Sequence, residues 1–86
     1  MKSLATAEFW RLYARLPQVQ RSDARKAYRL WQRNPLHGPL HFKKAGKVWS
    51  VRVGRGYRAL GLLKGDTMHW FWIGPHDEYE RILRRR

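Results

Sequence analysis

The spacing of apolar positions changes character once along the chain, near Pro39. Before it, apolar residues recur at helical intervals. Phe9, Tyr13 and Leu16 form one stripe while Arg11 and Arg15 share another face, which predicts a first helix from about Thr6, as N-cap, to Leu16, stopped by Pro17. A second helix is predicted to start near Pro17 and to end before Asn34-Pro35. Its apolar stripe is Ala24, Ala27, Tyr28 and Trp31. Arg21, Arg25, Arg29 and Arg33, joined by Lys26, make a second, basic stripe that drifts around the axis. So tight a link between two helices predicts an antiparallel hairpin.

Beyond an irregular stretch, Asn34 to Pro39, the period becomes two. Leu40–Lys43 reads as a short edge strand and Ala45-Gly46-Lys47 as a turn. Val48–Val53 alternates Trp49, Val51 and Val53 against Val48, Ser50 and Arg52. Gly54-Arg55-Gly56 then turns into a strand over Tyr57–Leu63, and Lys64-Gly65-Asp66 into another over Thr67–Ile73. Gly74-Pro75 closes the sheet. A short helix follows from His76 to about Leu83, with Asp77 and Glu78 at its positive end and Arg84, Arg85 and Arg86 at its negative end. The expected class is α+β: a two-helix hairpin on a curved antiparallel sheet of about four strands, in a single domain over residues 1–86.

Composition sharpens this picture. Five Trp, four Tyr and three Phe supply a dense core for a chain of 86 residues, which has little interior to spare. There is no Cys, which excludes disulfides and thiolate metal sites and suits a reducing cytoplasm. No apolar run approaches the ~20 residues that span a bilayer, and the N-terminus lacks a signal peptide's apolar stretch. A soluble cytoplasmic protein without a membrane partner is expected. Nineteen Lys+Arg against six Asp+Glu leave a net charge of +13, a field that draws polyanions and favours a neutralising partner.

The charge directs attention to RNA chemistry. Metal-dependent nucleases converge several carboxylates on a cation. Here Glu8, Asp23 and Asp66 are scattered and the remaining acids crowd at positions 77, 78 and 80, so no metal or other cofactor is expected. His37 and His41 have an H-x3-H spacing, but no cysteine and few other ligands accompany them. Cleavage without metal needs only a base for the ribose 2′-hydroxyl, charge stabilisation on the phosphorane and an acid for the departing 5′-oxygen. Three patches offer those groups. Arg58, on an otherwise apolar strand, must find an anion or reach solvent, and a structural salt bridge would serve as well as a phosphate. His76 opens the last helix, where it is as much a helix-start hydrogen-bonding residue as a catalyst. His41-Phe42-Lys43-Lys44 is by default a solvated loop that a nucleic-acid backbone could use. The segment Met68-His69-Trp70-Phe71-Trp72 suits a strand covered on both faces better than a base-stacking platform.

Taken in order, the helical hairpin, Trp49–Gly54, Gly56-Tyr57-Arg58-Ala59-Leu60, an apolar strand and Gly74-Pro75-His76-Asp77-Glu78-Tyr79 resemble the RelE/ParE toxin superfamily over nearly the whole chain. The resemblance implies the toxin of a type II toxin–antitoxin pair, bound and inhibited by an antitoxin through an acidic or amphipathic segment. Its RelE-like and YafQ-like members cleave mRNA, commonly on the ribosome, which implies a metal-independent endoribonuclease that inhibits translation. By that resemblance Arg58 holds the scissile phosphate and His76 takes part in catalysis, with Tyr79 beside it. Lys43, Lys44 and their neighbour His41 would bind RNA, and Arg52 and Arg55, around the Gly54 turn, complete the expected RNA-binding set. The chain departs from the family in having no clear loop carboxylate to act as base, and in Gly61, where many members carry a larger residue. The ParE branch shares the fold but poisons DNA gyrase without nuclease activity. A passive nucleic-acid-binding domain is a third reading.

Overall fold

In the computed structural model, which describes residues 2–84, nine elements follow the chain. They are β1 (Lys2–Ala5), α1 (Ala7–Ala14), α2 (Gln18–Arg33), the short 3-10 helix η1 (Gly38–Leu40), β2 (Lys43–Ala45), β3 (Val48–Val53), β4 (Tyr57–Lys64), β5 (Thr67–Pro75) and α3 (His76–Arg84). The strands form one sheet in the order β1-β5-β4-β3-β2. Both helices of the hairpin lie on one face and α3 lies on the other, so the α+β class and the packing of the hairpin on the sheet follow the pattern of the sequence.

Thr6 caps α1 as expected, its Oγ1 accepting from the Phe9 amide at 3.1 Å. Pro17 precedes the first turn of α2, where its missing amide costs nothing. Two expectations need correction. The sheet has five strands instead of four, because β1 adds to its edge, parallel to β5, with Lys2 opposite Thr67 and Ala5 opposite Trp70. The sheet is therefore mixed, not wholly antiparallel. The first strand of the antiparallel meander also begins later than Leu40. Gly38, Pro39 and Leu40 wind into η1, Leu40 is buried as a core plug, and His41 adopts a left-handed conformation (φ 45°). Extended backbone can resume only past it, at Lys43. Of the C-terminal arginines, Arg85 and Arg86 lie outside the described residues.

Alternation along the strands sorts side chains onto two layers. Toward α1 and α2 lie Val51, Val53, Ala59, Met68, Trp70 and Ile73, packed with Leu16, Ala27, Trp31 and Leu40. Trp31, 1% exposed, sets its ring edge-to-face against Trp70 at 5.3 Å. Toward α3 lie Val48, Leu60 and Tyr79, with Leu62, Phe71, Trp72, Ile82 and Leu83 around them. A register shift between Leu60 and Gly61 lets Trp70 face one layer while Phe71 and Trp72 join the other. The aromatic strand is thus core on both faces, as its pattern suggested. Gly61 is required by this packing, since a Cβ there would meet Met68 Sδ at 2.7 Å and Trp70 Cε3 at 2.9 Å. Among the described residues no helix is long and apolar enough to cross a membrane.

α1 packs mainly on β5 and α2 mainly on β3, so the hairpin is splayed. A hollow of about 460 Å³ opens between them, lined by Phe9, Tyr13, Ala27, Trp31, Val53 and Trp70 among others. Polar contacts rim it: Ser3 Oγ and the Tyr28 hydroxyl are 2.6 Å apart, and Arg25 Nη1 donates to the Tyr13 hydroxyl at 2.7 Å.

Candidate active site

β3 and β4 pair so that Ser50 is opposite Leu60 and Arg52 opposite Arg58. Their shared face is the one that α3 covers, so Arg52 and Arg58 are cross-strand neighbours on that face. Arg58 is 8% exposed. Its Nη1 lies 3.4 Å from Ser50 Oγ, and its guanidinium carbon sits 5.3 Å from the centre of the Tyr79 ring. No carboxylate among the described residues is paired with it. A buried cation with one long hydrogen bond and one aromatic face has lost most of its hydration with little in return. That deficit is what an anionic ligand would fill.

The turn Gly54-Arg55-Gly56 brings the start of β4 against the start of α3. His76 donates its backbone N–H to the Gly56 carbonyl at 2.7 Å, and Arg58 is in register with Gly74. The His76 ring lies 5.4 Å from the Tyr79 ring, so Tyr79 touches both Arg58 and His76. His76 Nδ1 is 3.7 Å from Glu80 Oε1, one helical turn on, which leaves Nε2 on the free edge of the imidazole. The imidazole is partly open to solvent. Arg58, Tyr79 and His76 therefore form one cluster of a phosphate-sized cation, an aromatic wall and a proton carrier.

The remaining expected residues divide. Arg52 shares the face of Arg58 and donates from Nε to the Gly54 carbonyl at 3.1 Å. Lys43 is exposed opposite Ser50, hence on the same face. Lys44 is opposite Trp49 and so turns to the other face, where it borders a hollow with Lys47, Trp49, Leu62, Leu63 and Lys64. That hollow lies toward the far end of β4 from Arg58. Arg55 stands exposed on the turn, and His41 is exposed at the end of η1. Two neighbours were not singled out in the sequence. Ser50, fully buried, had one signal: it is a polar residue between Val48 and Arg52 on one face of β3. Glu80 had its i,i+4 spacing from His76. Among the described residues no three of His, Cys, Asp and Glu come together in a group that could hold a metal ion.

A family model described as a ParE-like toxin domain matches residues 18–81. No curated protein matches the chain. Solved structures share its fold. The RelB-RelE antitoxin-toxin complex from Methanococcus jannaschii is 19% identical, with a TM-score of 0.72 over 92% of this chain and 96% of that one. The YoeB/ParE toxin from Agrobacterium tumefaciens is 19% identical, with a TM-score of 0.69 over 88% of this chain and 99% of that one. YafQ from E. coli strain BL21(DE3) is 13% identical, with a TM-score of 0.65 over 91% and 96%.

Proposed function

The chain belongs to the ParE-like toxin family, within the RelE/ParE superfamily, and on that premise we propose that it is the toxin of a type II toxin–antitoxin pair and cleaves mRNA as a metal-independent endoribonuclease. The observation that carries the reading is Arg58: a buried arginine with no carboxylate partner among the described residues, placed under Tyr79 beside His76.

In this mechanism the ribose 2′-oxygen attacks its own 3′-phosphorus. The P–O2′ bond forms, the P–O5′ bond breaks, and the products are a 2′,3′-cyclic phosphate and a 5′-hydroxyl. Arg58 holds the phosphate and balances the negative charge that grows on the phosphorane. His76 transfers a proton, as acid toward the leaving 5′-oxygen or as base toward the 2′-hydroxyl. Tyr79 is buried and orients Arg58 from beneath α3. Lys43 and Arg52, on the same sheet face, take flanking phosphates, and the exposed His41 and Arg55 contact the backbone farther out, whereas Lys44 faces away from this path. DNA lacks the attacking hydroxyl and is not a substrate.

The antitoxin is the second partner. The apolar hollow beside α1 and α2, with Leu4 and Trp10 exposed at its edge and Arg25 near its mouth, suits an amphipathic acidic segment. The rival reading is gyrase inhibition, favoured by the ParE-like description of the matching family model. Induced expression with RNA-end mapping, alongside a supercoiling assay on purified gyrase, tests the choice. The ribonuclease reading expects new mRNA 5′ ends that vanish in Arg58→Ala and His76→Ala, with supercoiling untouched. Intact mRNA together with blocked supercoiling would establish the gyrase reading instead.

A further inference from the structure

β3 carries a hydroxyl in a place that an apolar side chain would fill. The face that it turns toward α3 reads Val48, Ser50 and Arg52, and Ser50 is wholly buried there, opposite Leu60 of β4 and Lys43 of β2. A buried hydroxyl without a partner is destabilising, and alanine would occupy nearly the same space without that penalty. The partner that Ser50 has is Arg58, whose Nη1 donates to Oγ at 3.4 Å. Arg58 is thus held from two sides, because the Tyr79 ring backs its guanidinium carbon at 5.3 Å. A guanidinium has five N–H donors in one plane, and Ser50 takes one of them. Nε and Nη2 have no acceptor among the described residues. Neither is sealed in the interior: among the described residues, the buried side-chain nitrogens without a partner are the indole Nε1 atoms of Trp31 and Trp70, which belong to the layer under α1 and α2. The small part of Arg58 that stays open, 8% of its surface, therefore includes the Nε–Nη2 edge.

We infer that Ser50 is the positioning residue of Arg58: its hydroxyl holds Nη1 so that the guanidinium turns its Nε–Nη2 edge outward to take two phosphate oxygens side by side. The inference rests on the reading above that Arg58 meets the scissile phosphate, and adds which edge of Arg58 does so and what aims it. Arginine has two edges that can form paired hydrogen bonds with an oxyanion, Nη1–Nη2 and Nε–Nη2. The bond from Nη1 to Ser50 withdraws the first and leaves the second. Without the hydroxyl, the Tyr79 ring would still back the group but would not fix its rotation in its own plane, since a ring face presents no single acceptor direction. A loosely aimed cation still binds an anion, but it stabilises the phosphorane less well, because that stabilisation depends on donors fixed in advance. Ser50 touches no substrate in this scheme and acts through Arg58 alone.

The test uses the full chain, isotope-labelled for nitrogen resonance spectra, and reads the guanidinium directly. Arg58 is identified as the side-chain signal that disappears in Arg58→Lys. In the wild type, hindered rotation about the Cζ–Nε bond should keep its two Nη nitrogens distinct. A short oligonucleotide of deoxy sugars, which lacks the attacking hydroxyl, should shift its Nε signal. In Ser50→Ala the two Nη signals should merge and the shift at Nε should shrink. On a short RNA, kcat should fall about tenfold or more in that variant while KM changes by less than about twofold, the split expected of a group aimed badly but still present. Distinct Nη signals together with wild-type kcat in Ser50→Ala would overturn the inference. A fall in kcat with the Nη signals still distinct would also overturn it, since Ser50 would then act by packing. Should Ser50→Ala fail to fold, Ser50→Cys, close in size and a weak acceptor, takes its place under the same two criteria. If the wild-type chain cleaves no RNA, the ribonuclease reading fails on its own, and the Nη and Nε signals alone decide the role of Ser50.

Discussion

Arg58, in the role proposed for it, would trade stability for function at a single residue. Its charge is stripped of water, and Ser50 and the Tyr79 ring return only part of the loss. Replacement by methionine, similar in length and uncharged, should therefore raise stability by about 1 kcal/mol or more, read as the denaturant midpoint. The same change should abolish cleavage, and Arg58→Ala should lower it by roughly a hundredfold or more. A fall in stability with activity retained would mean that Arg58 is structural. Gly61 carries the opposite constraint, since its missing side chain is filled by Met68 and Trp70. Gly61→Ala should lower stability by about 1–3 kcal/mol through overpacking. Sequence reasoning could find Arg58 and His76 because a cation on an apolar strand and a histidine at a helix start each stand out locally. It could not see Ser50 meet Arg58, because that contact depends on the register of β3 against β4.

Among the elements, the legible ones were those whose signals are local. Thr6 capping α1, Pro17 opening α2 and the glycine turns of the meander each act over a few residues, and each stands where the pattern placed it. Thr6→Ala should cost about 1 kcal/mol without changing the fold, measurable by thermal melting. β1 was not legible. Lys2–Ala5 carries too few residues to show alternation, and its partner β5 lies at the far end of the chain. η1 was hidden for a related reason: Leu40 looks like a strand start until the core pulls it inward and His41 turns left-handed. α3 was foreseen as a helix, but not that its Tyr79 would close over the arginine of β4.

At the scale of the molecule, the net charge is +13, whereas the proposed chemistry is confined to one face of the sheet. The charge sets encounter and affinity, so binding to RNA should weaken steeply between dilute and physiological salt. Binding indifferent to salt would deny a phosphate-tracking surface. Salt dependence alone does not distinguish a catalyst from a passive binder, and that choice rests on what happens at one phosphate. The most direct measurement is end-group analysis of a short RNA incubated with the purified protein in EDTA, beside the same RNA with a single 2′-deoxy sugar at the cleaved position. The account predicts a 2′,3′-cyclic phosphate and a 5′-hydroxyl from the first, and no cleavage at that position in the second or with Arg58→Ala. Cleavage of the deoxy-substituted position, cleavage only with a divalent metal, or an intact first RNA would contradict it.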